Sequence, residues 1–335
     1  MSSSKRISLA EQSVPEHSRP AVKYLTVSEK NEAQRVDNFL LSQLKGVPKS
    51  KIYRVIRKGE VRINKKRCKP VTKLAIGDVV RVPPIYGVDE GSGPPSVSQS
   101  LVTLLDSAIL YEDELLLVIN KPSGLAVHGG SGIRVGLIEA LRSKYPETQF
   151  LELVHRLDRD TSGCILVAKS RAALRSLHAQ FRDDKVNKIY HLAVHGKWPK
   201  HRRRVDAPLK KNELKSGERI VVVHQEGKPS QTDFRVLASS KNFTLMEAKP
   251  ITGRTHQIRV HASFTGCPIV GDDKYIPSNG VALHGMERSR LMLHARQIHF
   301  QSPGGKRMRF EAPYDDAFQV SLERMALSDV RRQDA

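Results

Sequence analysis

One short stretch of the sequence concentrates the side chains that could do chemistry. Residues 150–170, FLELVHRLDRDTSGCILVAKS, place Asp158 and Asp160 beside Arg156 and Arg159, between two runs rich in Val, Ile and Leu. Asp-Thr-Ser-Gly is typical of a turn, because short polar side chains bond nearby backbone groups and Gly tolerates a positive φ. The pattern predicts strand, tight turn and strand. Such a turn could hold a catalytic carboxylate rigidly, and a structural turn with carboxylates paired to arginines has the same pattern.

Three functions are compatible with a carboxylate at this position in a basic protein. The first is an RNA-modifying enzyme that uses Asp158 as nucleophile or base. The second is a metal-dependent nuclease that uses His155, Asp158, His256 and His261. The surrounding arginines disfavour it, because guanidinium groups compete with Mg²⁺ for carboxylate oxygens, and the last two histidines share no helical face. The third is an RNA-binding or assembly protein whose second domain has no active site.

The composition makes a polyanion the expected partner. Among 335 residues, 56 are Lys or Arg and 35 are Asp or Glu, which gives a net charge of +21. Such an excess is typical of proteins that bind nucleic acid. No apolar run reaches membrane-spanning length, the N-terminus does not resemble a secretory signal, and the three cysteines lack metal-site spacing. We therefore expect a cytoplasmic protein without metal, cofactor, disulfide or membrane partner.

The sequence predicts a tail, two domains and a linker. Residues 1–22 are polar and read as a flexible tail, and residues 23–85 form a compact unit with helical and strand patterns. Residues 86–104 are rich in Gly, Ser and Pro, which is typical of a flexible linker. In residues 105–325 strands outnumber helices and are joined mostly by turns. This pattern predicts an α+β domain with a mainly antiparallel mixed sheet flanked by helices.

The first domain carries a one-sided cluster of positive charge. Only Glu60 accompanies the basic residues between Lys45 and Lys73, whereas a solvated helix face normally mixes signs. Contact with a nucleic acid backbone is therefore favoured. The segments RVDNFLLSQL, PKSKIYRVIRKGEVRINKKR and KLAIGDVVRV resemble an S4 domain, a small RNA-binding module of the αL type, and this resemblance implies contacts to structured RNA. The residues assigned to RNA binding here are Lys51, Arg54, Arg57, Lys58, Lys65, Lys66 and Arg67.

Five motifs of the second domain resemble those of the RluA-type pseudouridine synthases. They are KPSGLAVHGG, HRLDRDTSG, KIYHLAVHG, TGRTHQIRVH and GDDKY, and the resemblance covers essentially residues 105–320. One departure is Ile276, where the family usually has Gly after Tyr275, and it affects the shape of a loop. The S4-like module ahead of these motifs resembles the subgroup that acts on large-subunit ribosomal RNA. The implied activity is isomerisation of specific uridines to pseudouridine in 23S ribosomal RNA, with transfer RNA as the alternative substrate.

The resemblance also implies roles for individual residues. The family breaks the N-glycosidic bond of uridine, rotates the uracil and joins its C5 to the ribose, with no redox step and no cofactor. Asp158 corresponds to its catalytic aspartate and Arg259 to the ion partner that favours the charged form of that carboxylate. Tyr190 would stack on the uracil. Arg156 would fill the space of the flipped-out base or bind phosphate, and Thr161 would shape the turn. The matched motifs add His128, Arg254 and His256 as RNA contacts, and we expect a monomer.

Overall fold

The computed structural model describes residues 21–44, 47, 49–85, 97–129, 135–213, 219–276 and 289–328. The chain divides into two compact units, Met1–Pro94 and Pro95–Ala335. The predicted tail, apart from residues 21 and 22, lies outside the described residues, as does most of the predicted linker. Among the described residues, no helix has the length and apolar character needed to cross a membrane.

The N-terminal unit packs helices against one face of a four-stranded antiparallel sheet with the strand order β1-β4-β2-β3. Its core joins Phe39 and Leu40 of the first helix, Ile52 and Ile56 of the second, and Val80 of the sheet. The helical spacing of these residues therefore creates the apolar faces that the sheet covers. The elements are β1 (Lys23–Thr26), α1 (Val36–Gln43), α2 (Lys49–Lys58), β2 (Arg62–Ile63), β3 (Lys66–Arg67) and β4 (Val79–Val82).

The second unit is built on a ten-stranded sheet, which confirms the predicted α+β class. Its strands pair antiparallel except for β8 and β15, which run parallel. The elements are α3 (Gln99–Ala108), β5 (Ile109–Glu112), β6 (Leu116–Lys121), α4 (Leu137–Lys144), β7 (Glu152–Leu153), β8 (Ser162–Ala168), α5 (Arg171–Arg182), β9 (Asn187–His195), β10 (Arg204–Asp206), β11 (Leu209–Glu213), β12 (Arg219–Val223), β13 (Gln231–Ser239), β14 (Phe243–Pro250), α6 (Gln257–Phe264), β15 (Leu293–Gln301), β16 (Arg307–Glu311) and α7 (Asp316–Arg324).

The sheet follows the order β10-β13-β14-β9-β15-β8-β6-β5. Beside this path, β16 pairs with β15 and β7 pairs with β8, while β11 and β12 form a separate two-stranded ribbon. Strand β8 is thus an interior strand, and every one of its residues is buried. A side chain at the start of this strand is therefore attached to a rigid part of the fold.

Helices cover strand β8 from both faces. Ile165 and Val167 pack with residues of α3 and α4, while Cys164 and Leu166 pack with residues of α5. This alternation follows from the period of two along a strand. Two clusters of apolar side chains therefore clamp the strand that follows the Asp-Thr-Ser-Gly turn.

Three local predictions need correction. Helix α3 begins at Gln99, so residues 99–104 are helical where the sequence predicted linker. Its N-cap is Ser98, whose hydroxyl accepts a hydrogen bond from the Leu101 N–H, a cap that is easily overlooked in a Ser-rich stretch. Strand β7 covers two residues instead of the predicted 150–154. Helix α6 begins at Gln257, two residues later than predicted, because His256 adopts a left-handed conformation with φ of +54°.

Candidate active site

Asp158 lies in the turn that leads into strand β8, as the sequence pattern predicts. The Thr161 N–H donates to the Asp158 carbonyl oxygen at 3.2 Å, which closes the turn. The Asp158 side chain is 21% exposed, so it is accessible although it lies at the end of a buried strand. The hydroxyl of Thr161 is buried and has no hydrogen-bond partner among the described residues.

Gly163 fixes how closely this turn approaches the neighbouring strand. Its φ is +107°, a region that side chains rarely adopt, and a Cβ atom there would lie 2.3 Å from the carbonyl oxygen of Ala295. The parallel pairing of β8 with β15 sets this contact, because Gly163 pairs with Ala295 and Ser162 with His294. The turn is therefore seated directly against the backbone of β15.

Two residues at the start of α6 face the Asp158 carboxylate. Arg259 Nη1 lies 3.6 Å from Oδ2, and His256 Nε2 lies 3.6 Å from Oδ1. Both separations are ionic contacts longer than a hydrogen bond. Helix α6 thus brings one permanent cation and one imidazole to the same carboxylate, as the family resemblance implies for Arg259.

The principal partner of Arg259, however, is Asp272. Arg259 Nε and Nη2 donate to the two carboxylate oxygens of Asp272 at 2.7 and 2.8 Å, and the two side chains are 8% and 1% exposed. Asp272 also accepts the backbone N–H groups of Lys274 and Tyr275. Asp272 belongs to the motif GDDKY, in which no aspartate had a predicted role. Asp272 holds the guanidinium in place while Nη1 is left to face Asp158.

The charge of Arg259 is secure at this site. Burial alone lowers its pKa, but the hydrogen bonds and charge of Asp272, together with the charge of Asp158, raise the pKa above its ordinary value. A bidentate guanidinium–carboxylate pair has fixed geometry as well as fixed charge. The positive charge beside Asp158 is therefore preorganised.

His256 is held by Tyr275, a residue without a predicted role in the site. The Tyr275 hydroxyl accepts the Val221 N–H at 3.1 Å and lies 2.5 Å from His256 Nδ1, to which it can donate. Burial lowers the pKa of His256, although the charge of Asp158 opposes this shift. A neutral imidazole that accepts at Nδ1 carries its proton on Nε2, which points at Asp158.

Tyr190 lies on strand β9 and is half-buried. Its ring packs against two apolar clusters, one that includes Leu192 and Ile258 and one that includes Ile165 and Ala295. Burial raises the pKa of Tyr190, and the negative charge of Asp158 adds to the shift, which places the phenol in the electrostatic field of that carboxylate. An aromatic side chain therefore accompanies the carboxylate, the guanidinium and the imidazole.

A fully buried lysine fastens the Asp158 turn to the loop after β6. Lys121 Nζ donates to the carbonyl oxygens of Pro122, Leu125 and Arg159 at 2.7, 2.8 and 2.8 Å, and Ser123 adds a bond to the carbonyl of Asp160. Burial lowers the pKa of Lys121 to about 7, against the attraction of nearby aspartates. Three carbonyl acceptors match the three donors of an ammonium group. Lys121 opens the motif KPSGLAVHGG, in which only His128 has a predicted role.

A buried hydrogen-bond chain supports the turn from the opposite side. Arg290 Nη2 donates to Ser162 Oγ at 2.7 Å, Ser162 Oγ lies 2.8 Å from His294 Nδ1, and His294 Nε2 lies 3.0 Å from the Ala312 carbonyl oxygen. Arg290 also pairs with Asp315, the N-cap of α7. Burial lowers the pKa of His294 to about 4, so the imidazole is neutral and can accept from Ser162 while donating to Ala312.

The remaining predicted site residues of this unit are more peripheral. Arg156 and His128 are exposed. Arg254 is also exposed, and its guanidinium donates to the carbonyl oxygen of Pro229 at 3.1 Å. None of the described ion pairs joins these residues to Asp158. Their contact with RNA stays a prediction.

Two histidines of the nuclease hypothesis have structural partners. The backbone N–H of Leu166 donates to His155 Nε2 at 3.1 Å, and buried His261 bonds Thr232, Ser230 and the Ala207 carbonyl. Within the described part of the chain, no group of three or more His, Cys, Asp or Glu residues could hold a metal ion. The described ion partners of Asp158 are the Arg259 guanidinium and the His256 imidazole.

The predicted RNA-binding residues of the N-terminal unit lie on its surface. Lys51 of α2 is half-buried, and the others are exposed: Arg54, Arg57, Lys58, Lys65, Lys66 and Arg67. Arg67 Nη2 donates to the Lys58 carbonyl oxygen at 3.1 Å, which ties the β2–β3 hairpin to the end of α2. Helix and hairpin therefore present one basic surface.

Comparison with protein families finds two matches in the chain. A family described as RNA pseudouridylate synthase matches residues 115–264, and the S4 domain matches residues 34–80. These matches agree with the two resemblances drawn from the motifs.

Individual relatives match over most of the chain. Ribosomal large subunit pseudouridine synthase C of Haemophilus influenzae is 52% identical over 307 residues, which cover 91% of this chain and 95% of the relative. The protein of the same name from Escherichia coli K12 is 52% identical over 310 residues, with 91% and 97% coverage. The solved structure of human RNA Pseudouridylate Synthase Domain Containing 4 superposes with a TM-score of 0.55 at 28% identity, covering 68% of this chain and 96% of that chain.

Proposed function

Because the chain belongs to the RNA pseudouridylate synthase family, we propose that it isomerises specific uridines to pseudouridine in large-subunit ribosomal RNA, with Asp158 as its catalytic residue. Two bacterial relatives are named ribosomal large subunit pseudouridine synthase C, which supports this substrate. Their alignments with this chain cover nearly the full length of both proteins. A ribosomal RNA substrate also implies a cytoplasmic enzyme. We retain residues 23–85 as the RNA-binding domain and residues 105–325 as the catalytic domain.

The observation that carries the proposal is the arrangement of charges at Asp158. A partly exposed carboxylate faces a buried guanidinium at 3.6 Å, and Asp272 holds that guanidinium in place. At this distance the fixed positive charge of Arg259 attracts a negatively charged carboxylate. An ionised carboxylate is required whether Asp158 attacks the ribose carbon or abstracts a proton from the sugar. The site is thus prepared for either role before RNA binds.

The reaction needs no oxidant, reductant or outside energy source. The bonds that break are N1–C1′ and C5–H, and the bonds that form are C5–C1′ and N1–H, so atoms and electrons balance within one nucleotide. The protein must therefore hold the detached uracil, let it turn and accept a proton from C5. Tyr190 would stack on the ring, since an aromatic face holds a planar base without reading its edge.

The target base must leave its stack to reach Asp158, because the carboxylate lies in a turn supported by a buried strand. Exposed Arg156, two residues before Asp158, would fill the vacated space or bind phosphate. Thr161, whose side chain is buried, would shape the turn that carries Asp158. His128, Arg254 and His256 would contact RNA around it. Asp158, Arg259, His256 and Tyr190 all belong to one chain, so a monomer suffices.

Substitution of Asp158 by Asn tests the proposal. Asp158→Asn keeps the shape of the side chain and removes its charge, so it should abolish tritium release from C5-labelled uridine in ribosomal RNA while RNA affinity stays nearly unchanged. Asp160→Asn is the matched control, because Asp160 lies in the same turn but pairs with exposed Arg159. Retained turnover in Asp158→Asn would remove this carboxylate from the mechanism. Loss of specific pseudouridines from the ribosomal RNA of cells lacking the gene would identify the targets.

A further inference from the structure

A row of one tyrosine and three arginines crosses the solvent face of the N-terminal sheet. Tyr24 of β1 pairs with Arg81 of β4, Arg81 pairs with Arg62 of β2, and Arg62 pairs with Arg67 of β3. Directly paired residues point to the same face. The neighbouring pairs, such as Leu25 with Val80, point to the core. With strands about 4.8 Å apart, the row extends across roughly 14 Å.

The three arginines of the row have carbonyl groups as partners. Arg81 donates to the Glu60 carbonyl oxygen at 2.7 Å, Arg67 donates to the Lys58 carbonyl oxygen at 3.1 Å, and Arg62 approaches the Lys65 carbonyl oxygen at 3.3 Å. Among the described residues, none of them forms an ion pair with a carboxylate. Like charges in directly opposed positions destabilise a sheet. The row is thus a concentration of positive charge that the described part of this unit does not neutralise.

An exposed aromatic ring stands at one end of the row. Tyr24 is 66% exposed, and Val79, its diagonal neighbour on the same face, is 39% exposed. Both side chains line a concavity with a volume of about 1010 Å³. Arg62, Arg81 and the end of α2 also line it. Glu60 is the acidic residue of this lining, and it lies 3.8 Å from Lys58. The lining of the concavity therefore combines an exposed aromatic ring and an apolar side chain with several basic side chains.

We infer that this sheet face binds an unpaired segment of the RNA substrate, with a base stacked on Tyr24 and the adjoining phosphates on Arg81, Arg62 and Arg67. A tyrosine face can stack only on a base that is free of its own helix, and guanidinium groups bind phosphate oxygens in the geometry of a fork. The inference rests on the proposed function, because it takes the ligand to be RNA. It adds Tyr24, Arg62 and Arg81 to the RNA-binding residues predicted from sequence and selects single-stranded over duplex RNA.

Binding of short RNAs by the full-length protein tests the inference. The probes are a fluorescein-labelled oligoadenylate and an A·U duplex of the same length, measured by anisotropy over a range of salt concentrations. Tyr24→Ala should weaken single-strand binding roughly tenfold with an unchanged salt slope, because stacking does not release counterions. Tyr24→Phe should bind like the wild type, and duplex binding should change little in either variant. Val71→Ala, at a site 57% exposed in the same unit, is the control for a change of exposed apolar surface.

Substitution of the arginines should change a different quantity, the salt dependence of RNA binding. Arg62→Gln and Arg81→Gln should each reduce the salt slope for the single strand by roughly 0.7, the value expected for one lost phosphate contact. Unchanged single-strand affinity in Tyr24→Ala, or an equal loss on the duplex, would overturn the stacking on an unpaired base. An unchanged salt slope in the arginine variants would overturn the phosphate contacts.

Failure of this inference is distinguishable from failure of the proposed function. Tritium release by the wild-type protein is measured in parallel on ribosomal RNA. If wild type releases tritium but Tyr24→Ala keeps full single-strand affinity, the sheet face is not the binding site and the enzyme assignment stands. If wild type releases none, the enzyme assignment fails whatever the binding result.

Discussion

The two units of the chain use arginine in opposite ways. In the catalytic unit, Arg259 is 8% exposed and its guanidinium is locked to the Asp272 carboxylate. In the N-terminal unit, the arginines of the sheet row bond backbone carbonyl groups, and no described carboxylate neutralises them. A charge that is fixed within the fold can stabilise a reaction without reorganisation, whereas a charge left at the surface is available to an incoming polyanion. Loss of charge in the N-terminal sheet row should therefore reduce RNA affinity, whereas loss of the Arg259–Asp272 pair should reduce turnover.

The largest expected effect comes from removing the acid that fixes Arg259. Asp272→Asn leaves a buried guanidinium without its counter-charge, so the free energy of unfolding should fall by about 3–5 kcal/mol. Turnover at saturating RNA should fall about 100-fold or more, as when a preorganised electrostatic partner is lost. Chemical denaturation and single-turnover tritium release measure the two quantities.

The neighbouring aspartate is the matched control for this substitution. Asp273 lies 4.0 Å from Arg259 Nη2, but its side chain is 94% exposed, so Asp273→Asn should leave both turnover and stability nearly unchanged. Equal behaviour of the two variants would show that the buried pair does not set the charge beside Asp158, and the contrast between the two units would lose its basis.

The second effect in size concerns the lysine beneath the Asp158 turn. Lys121→Met keeps the volume of the side chain but leaves three carbonyl oxygens without their donor, which should lower the free energy of unfolding by about 3 kcal/mol. Amide hydrogen exchange at residues 159–161 should accelerate, and turnover should fall roughly tenfold because the carboxylate is less well positioned.

An exposed lysine of the same unit provides the comparison. Lys185 is 70% exposed and lies 3.7 Å from Asp183, so Lys185→Met should change the free energy of unfolding by no more than about 0.5 kcal/mol. If exchange at 159–161 is as slow in Lys121→Met as in Lys185→Met, the turn does not depend on the buried ammonium.

A smaller effect is expected from the surface of helix α2. Replacing exposed Arg54 and Arg57 by Gln should weaken ribosomal RNA binding several-fold and reduce the salt slope by roughly 0.9 for each lost phosphate contact. Turnover at saturating RNA should not change. Arg182→Gln, at a site 73% exposed in the catalytic unit, controls for the loss of a surface charge. A fall in turnover without a change in the salt slope would contradict the division of labour between the units.

The last prediction concerns the stability of the two units in acid, and its effect at neutral pH is the smallest of the series. Burial lowers the pKa of His294 to about 4, so below pH 6.5 the unfolded chain takes up a proton that the folded unit does not. The stability of the catalytic unit should thus decline from pH 6.5 towards pH 4, by about 3 kcal/mol for this residue. His294→Asn should lose part of this acid sensitivity in denaturation experiments at several pH values.

The N-terminal unit should resist the same range of pH. Its one histidine in the sequence is His17. The buried carboxylate of this unit is Asp37. Burial raises the pKa of Asp37, but hydrogen bonds from Arg35 and Tyr53 outweigh this effect and lower the pKa below 3.8. Stability from a carboxylate with a lowered pKa is lost only as the pH falls through the folded value. A simultaneous loss of both units near pH 5 would contradict this separation.

The sequence predicted much of the fold because local patterns agree with it. The α+β class, strand β8 and the turn that carries Asp158 all follow from short runs of Val, Ile and Leu and from turn chemistry. Helix α5 likewise depends on local features, because Ala173 and Leu177 form its buried side and the Ser170 hydroxyl accepts a hydrogen bond from the Ala173 N–H. These features depend on neighbours along the chain, which a sequence shows directly.

The partners within the site could not be predicted in this way. The role of Asp272 could not be predicted because its pairing with Arg259 depends on the path of the chain after α6. The role of Lys121 could not be predicted because its partners come from two separate loops. The left-handed conformation of His256, which aims Nε2 at Asp158, has no local signal in a non-glycine residue. An unassigned acid in a recognised motif, such as GDDKY, was the one available hint.

The parallel pairing of β8 with β15 has a consequence for synthesis of the protein. Ser162 and His294 are 132 positions apart, and the strand that seats Gly163 lies late in the chain. A nascent chain therefore emerges with Asp158 long before the strand that supports its turn, and contacts of such large sequence separation form slowly. Premature termination before β15 yields a polypeptide that can display the basic N-terminal surface but lacks a finished reaction centre. The reaction centre is therefore complete only after β15 has been synthesised and paired with β8.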